Sequence, residues 1–569
     1  MQITINHSFS LLAIGFLLYS TGTSRGAAIE IDEVPVPGLK TKPLEAQWEY
    51  STDGKTWGAK PPVGAPANSQ NGIAPMAFRG TFEIADPQAV AGLWVRIVSE
   101  QPGDRAKSAI CTGDLASASG GYWKDLGFCP TLLNAKAVLN GKPVPTTVMP
   151  MLYFWFPLQG TLNKGKNTIE LSGDCYTYWG ASPATAITTK LLAAEPQPAE
   201  IFNGPVLGDF GDGYFTVACR TSLPASVTLE ATPTDPAGKA VTVASENKIW
   251  HKMKVQVPPG TKSVTYNLKS KLGTHEASRG PYTVRFPGKE FRFVAMGNVL
   301  AHPIQVERLK MMADRVIAMK LGLIVNTGNI SEHGTWDYDW EKRFFEPAGK
   351  MVATIPTLHT PGGRDYAGTV FEMLYTPADD GYSHNWSKAI GPVRFIGIDG
   401  NQLWKPGSET AVWLEKELAA AKEKFLFVLD AQPGYSTGKH SRKPHAWSMH
   451  SRNDVLPLLS KYKANAMLSG NDPDYERCEP TPDKGCTQIV IGCSGKDAYR
   501  FSGSAMRNNP FFKGNGHAWA GAEQTRGICL FDVRDNAVEM KFLQLPDDPK
   551  VVNEADFKVL DKKTFLPRQ

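Results

Sequence analysis

From about Ile29 to Ala194 the apolar positions come in short alternating runs, such as Phe78 to Ile84 (FRGTFEI) and Gly92 to Val98 (GLWVRIV), broken by clusters of Gly, Pro, Ser and Asp. Alternation places every second side chain on a core face, so this stretch predicts an all-β sandwich. A linker, Ala193 to Glu200 (AAEPQPAE), is followed by further alternation through Gly204–Thr221, His251–Ser270 and Pro281–Gly288. That pattern predicts a second sandwich of about seven strands. From Glu290 the period changes. FRFVAMG is a buried-strand run, and Leu309, Met312, Ala313, Val316 and Ile317 then recur at helical spacing. LGLIVNTG, PVRFIGID, FLFVLDA and NAMLSG read as strands, with helices from an N-cap at Ser408 through WLEKELAAAKEK and in RNDVLPLLSKYKA. Strands alternating with helices predict an α/β layered core whose chemistry lies beyond the carboxyl ends of the strands.

The chain's first residues add a compartment. Leu11 to Tyr19 (LLAIGFLLY) has the length of a signal-peptide core, and the small residues of Thr21 to Ala28 follow it, although the leading MQITINHSFS carries no Lys or Arg. The expectation is an exported protein, periplasmic, cell-surface or extracellular, with an uncleaved anchor as the alternative. No later window holds ~18 uninterrupted apolar residues, so no transmembrane segment is expected after it. The expected divisions are 1–28 signal peptide, 29–194 first sandwich, 195–288 second sandwich, 289–547 α/β domain and 548–569 a tail.

Charge and cysteine content narrow the partners. Sixty-one basic against 56 acidic residues leave a net charge of +5 with no dense basic run, which excludes a nucleic-acid footprint. The eight cysteines include no CxxC, which argues against zinc or redox motifs. In an exported chain Cys478–Cys486, Cys111–Cys129 and Cys493–Cys529 are the expected disulfide pairs.

Three resemblances add to this reading. WEYSTDGKTW, VLNGKPV and FPLQGTLNKGKNTIEL in the first sandwich resemble a galactose-binding-like jelly roll, and the second sandwich resembles the fibronectin-III-like domain that precedes the catalytic domain of purple acid phosphatases. In the third part the strand-end loops MGNVLAH, NTGNISEH, TPGGRDY, LDAQPGYS and SGNDPDYER resemble the five ligand loops of the calcineurin-like metallophosphoesterase superfamily, in its purple acid phosphatase-like branch. Gly297, Gly328, Pro361, Gly362, Pro433, Tyr435, Ser469, Gly470 and Tyr475-Glu476-Arg477 keep the family pattern. The resemblance implies a dinuclear metal centre held by Asp, Asn and His residues. Here those positions are Asn298, Asn329, Gly363, Arg364, Ala431, Asn471 and Pro473, so all seven are substituted.

Gly, Ala and Pro offer no side-chain donor, and Asn offers a neutral carbonyl where a carboxylate would offset divalent charge. No metal cofactor is therefore expected, and the chain reads as a pseudophosphatase acting in binding or assembly, with an unknown protein or glycan at the cell surface as partner. Two alternatives stay open: a phosphomonoesterase with a rearranged metal site, or a surface carbohydrate-binding protein. A rearranged site would draw on His302, His333, His359 and His440, with His445 and His450 nearby, or on Asp430, Asp472 and Asp474. Surface or hydrogen-bonded histidines are the plainer reading of the first group. Arg364 is a candidate for binding an anion in the old phosphate pocket, against the simpler role of pairing with a neighbouring acid.

Overall fold

The computed structural model describes residues 39–60, 73–100, 109–111, 128–130, 132–144, 147–149, 153–156, 161–176, 178–179, 182–183, 186–299, 305–331, 340–365, 369–375, 384–402, 404–438, 446–479, 486–496, 498, 518–522 and 524–568. The expected signal peptide lies outside them, as do His302, His333, His440 and His445.

The first region is built from two five-stranded sheets. Thr41–Leu44, Ala186–Ala194, Gly92–Glu100, Tyr153–Phe156 and Thr147–Met149 lie side by side in one, and Ala46–Ser51, Ile73–Ile84, Gly165–Tyr176, Leu132–Leu139 and Lys142–Val144 in the other. Phe78, Ile169 and Leu171 of one sheet share a buried cluster with Leu93, Val95 and Leu191 of the other. The Asn140-Gly141 pair takes φ of 51° and 77° between two antiparallel strands, the left-handed geometry a two-residue hairpin requires.

The second region departs from the expected seven strands. Ile201–Gly211, Tyr214–Asp235, Val241–Gln256, Ser263–Leu272 and His275–Arg285 form one five-stranded sheet. Its longest member runs 22 residues, with a register break between Arg220 and Ala225. Pro224 sits in that break, where no ladder bond is asked of it, so a sequence signal for a strand end marks only a bulge. A buried contact joins this sheet to the third region. Backbone N–H and Nδ2 of Asn203 donate to Glu341 Oε2 at 2.8 and 3.2 Å, and Arg220 donates to Asn203 Oδ1 while lying 5.0 Å from the rings of both Phe202 and Trp250.

The third region follows the predicted α/β layering. One sheet orders the strands Thr357–His359, Leu323–Asn326, Phe291–Met296, Gly527–Val533, Val538–Gln544 and Lys558–Phe565. The other orders Trp386–Ile390, Val393–Ile398, Phe425–Asp430, Ala466–Ser469, Thr487–Ile491, Tyr475–Glu479 and Ala518–Ala522. Between them Phe293 stacks on Phe531 at 4.4 Å and meets Phe395 edge-on at 5.2 Å. Helices Val306–Ala318, Glu346–Thr354 and Thr369–Tyr375 share the first sheet's outer core, and Glu409–Ala420 and Leu456–Lys461 share the second's. Ser408 caps its helix as expected, its Oγ accepting from the Ala411 N–H at 3.3 Å. The segment expected as a tail instead supplies the edge strand Lys558–Phe565, and its Arg568 binds the carbonyls of Ala421, Glu423 and Tyr462. The described cysteines Cys478, Cys486, Cys493 and Cys529 are buried thiols, so the structure does not form two of the expected disulfides. The side chains of Cys111 and Cys129 are outside the description.

Candidate functional site

The parallel strands Phe291–Met296, Leu323–Asn326, Thr357–His359, Phe425–Asp430 and Ala466–Ser469 all deliver their carboxyl ends to one region, as the sequence reading required. Three loops leave through an Asn in left-handed backbone: Asn298 at φ 46°, Asn329 at 55° and Asn471 at 62°. Asn and Asp tolerate this conformation better than other side-chain-bearing residues, so Asn keeps the turn where an acid would also fit. The glycines fix how closely the loops pack. A Cβ on Gly362 would overlap the Asn329 backbone, and one on Gly328 would overlap Gly362.

The substituted side chains bond to one another. Asn329 Nδ2 donates to Asn298 Oδ1 at 2.7 Å, and Asn298 Nδ2 donates to the carbonyls of Asn471 and Gly492 at 3.0 Å each. Asn329 Oδ1 accepts the backbone N–H of Arg364 at 3.1 Å, and Asn471 Nδ2 donates to Gln432 Oε1 at 2.9 Å. The five loops that carry Asn298, Asn329, Arg364, Gln432 and Asn471 are stitched together by these carboxamides. Ala431 and Pro473 are buried without a donor atom, Gly363 is exposed, and Arg364 is half-buried beside it.

These residues do not fit a two-metal centre. The Oδ1 atoms of Asn298 and Asn329 already accept N–H groups, and no carboxylate stands at either position. Two divalent cations ~3.5–4 Å apart need bridging and terminal anions to offset their repulsion. Among the described residues no group of three or more His, Cys, Asp or Glu is arranged to hold a metal ion.

Of the alternative ligands, His302, His333 and His440 lie outside the described residues, and the others are placed as follows. His359 ends its strand fully buried, neither ring nitrogen bonded, with its ring 4.1 Å from that of Tyr375. Burial pulls its pKa to about 3. It is therefore neither the surface nor the hydrogen-bonded histidine expected, but a neutral ring packed in the core. His450 lies 2.7 Å from Asp454 one helical turn away. Asp430 accepts from the Gln432 N–H at 2.8 Å and Ser451 Oγ at 2.6 Å, and burial lifts its pKa to about 7. Asp472 and Asp474 are wholly buried against Gly438. Burial, and then the charges of Glu476 and Asp472, push Asp474 well above the ordinary carboxylate range.

Other residues that shape the site carried no motif. Asp365, next to Arg364, accepts the N–H groups of Ile330, Ser331 and Gly362 at 2.8, 3.1 and 3.0 Å, tying two loops together. Burial raises its pKa to about 6 against the pull of those donors. At the outer rim Asn401 Nδ2 donates to the Pro361 carbonyl at 3.2 Å and to Asp399 Oδ1 at 3.0 Å.

Paired sheets with loops gathered at one edge are the fold this chain shares with a solved purple acid phosphatase. No protein-family model matches the chain. A curated relative, "Probable inactive purple acid phosphatase 27" of Arabidopsis thaliana, is 22% identical over 223 residues, 32% of this chain and 36% of the relative, so the match spans about a third of that protein. Among solved structures, purple acid phosphatase PPD1 from yellow lupin (Lupinus luteus) aligns over 88% of this chain and 94% of its own, with a TM-score of 0.56 at 14% identity. The structure of PhoD aligns over 65% of this chain and 94% of its own, with a TM-score of 0.48 at 13% identity.

Proposed function

We propose that this chain is a pseudophosphatase: an exported protein with a phosphoesterase-like fold that carries no metal pair, turns over no phosphoester, and acts by binding or assembly. The observation that carries the reading is the carboxamide lock of Asn298, Asn329 and Asn471, neutral side chains bonded to one another and to the loop backbone where a metal pair would need carboxylates. The printed name of the Arabidopsis relative, a probable inactive enzyme, supports it. Elemental analysis of the purified protein together with turnover of a chromogenic phosphomonoester tests the reading. The expected result is metal well below stoichiometric and no turnover above buffer. Near-stoichiometric metal with turnover would overturn it in favour of a phosphomonoesterase with a rearranged site.

A second reading concerns what the old pocket binds. The Arg364 backbone is held by Asn329 and its side chain is half-buried at the rim, which favours a non-hydrolytic site for an oxyanion such as phosphate.

A further inference from the structure

His384 stands between two carboxylates. Its Nδ1 lies 2.9 Å from Asp399 Oδ2 and its Nε2 2.6 Å from Glu372 Oε1. A neutral imidazole has one N–H and one lone pair, so one nitrogen would set a lone pair against a carboxylate at hydrogen-bond distance. Two ionised carboxylates at both nitrogens are satisfied only by the doubly protonated ring. The three groups come from different places: Glu372 from helix Thr369–Tyr375, His384 from the start of the segment leading into strand Trp386–Ile390, and Asp399 from the end of strand Val393–Ile398. His384 is 8% exposed and Asp399 not at all, so water does little to screen the pair.

The arrangement continues to the rim of the old site. Asp399 Oδ1 accepts the backbone N–H of Asn401 at 2.9 Å and its Nδ2 at 3.0 Å, and the same Nδ2 reaches the carbonyl of Pro361 at 3.2 Å. Pro361 opens the loop that carries Gly363 and Arg364. Beside this path Trp386 Nε1 donates to the His359 carbonyl at 2.6 Å, and Trp404 Nε1 to the Asp399 carbonyl at 2.9 Å. The loop is thus held on its inner side by Asn329 and Asp365 and on its outer side by Asn401.

We infer that His384, held as an imidazolium, is a positioning residue for the Pro361–Arg364 loop, acting through Asp399 and Asn401. The acids facing the ring are Glu372 and Asp399, and Asp430 lies close enough to Asp399 to feel its charge. The ring of Phe371 lies edge-on 5.9 Å away and excludes water. Burial alone would depress the imidazole, but the bonds to Asp399 and Glu372 outweigh it and raise its pKa to about 9. The inference is independent of whether the pocket binds an anion.

Two measurements test it on the full-length chain. Nitrogen-15 spectra of the imidazole rings should show His384 doubly protonated at pH 8, where an ordinary histidine has lost its second proton. A neutral His384 ring at pH 8 overturns the inference. Hydrogen exchange should then show segments 361–365 and 329–331 opening roughly tenfold faster in His384→Gln, with strands Phe425–Asp430 and Ala466–Ser469 unchanged. Should His384→Gln not fold, Asn401→Ala, which removes only the last link, should loosen the same loop while leaving the ring protonated. Unchanged exchange of 361–365 in Asn401→Ala overturns the inference even with a protonated ring.

Discussion

Asn329 donates its side-chain N–H to Asn298 Oδ1 at 2.7 Å, across two positions where the fold's relatives would carry acids. The direction is fixed, because Asn298 Nδ2 is committed to the carbonyls of Asn471 and Gly492 and leaves only its oxygen facing Asn329. Asn329→Asp would restore the family acid and at the same time put a carboxylate oxygen against another acceptor. It is expected to destabilise the metal-free protein at pH 7 by about 1–3 kcal/mol, the cost of losing a buried donor and setting two acceptors together. Urea unfolding of the two proteins measures this, and equal stability would show that the carboxamides do not hold the loops together.

The His384 cluster makes stability depend on alkaline pH. The folded pKa of about 9 lies above the ordinary value of 6.5, so the native state holds its proton more tightly. Its contribution is complete below about pH 6.5 and is lost as pH rises through about 9. At 1.36 kcal/mol per unit the contribution is on the order of 3 kcal/mol. Wild type should lose that much between pH 6.5 and 10 in excess of His384→Gln, read as the difference in urea-unfolding free energy at the two ends. Parallel pH profiles for the two proteins would contradict it.

What the sequence made legible follows from range. FRFVAMG and FLFVLDA announce buried strands because both faces are covered and the run is continuously apolar. Ser408 announces its helix because a cap acts over three residues. The seven substituted positions could be read as letters beside intact glycines, but not the bonds that join them, since Asn298 and Asn471 are 173 residues apart. Asp365, Asn401 and His384 carry no spacing signal, because each acts through partners brought close only by the fold. The strand Lys558–Phe565 looked like a tail because an edge strand with Lys558, Lys562 and Lys563 shows little apolar alternation.

His359 gives the opposite pH signature on the acid side. Burial holds it neutral to about pH 3, whereas the unfolded chain protonates it near 6.5. Stability should therefore fall as pH drops below 6.5, by about 1.36 kcal/mol per unit for this group. His251, whose pKa burial lowers to about 4, adds a slope of its own, so the informative quantity is the difference from a variant. His359→Phe keeps a flat ring against Tyr375 and removes two unbonded nitrogens. It should be at least as stable as wild type at pH 7 and lose less between pH 6.5 and 5, by about 2 kcal/mol. A loss of stability at pH 7 would mean that the ring nitrogens have partners, a metal among the possibilities.

Arg364 tests the proposed oxyanion site itself. Its backbone N–H is pinned to Asn329, and the next residue, Asp365, is held by the N–H groups of Ile330 and Gly362, so the guanidinium starts from a fixed stem. A charge-assisted bond from Arg to an oxyanion contributes about 1.5–3 kcal/mol, equivalent to a 10- to 100-fold change in affinity. Phosphate titrated into wild type by calorimetry should bind, and Arg364→Ala should bind weaker by that factor at equal ionic strength. Raising the salt should weaken wild type more than the variant, because the lost interaction is between charges. Absence of binding by either protein removes the oxyanion reading, and equal binding by both moves the anion elsewhere on the surface.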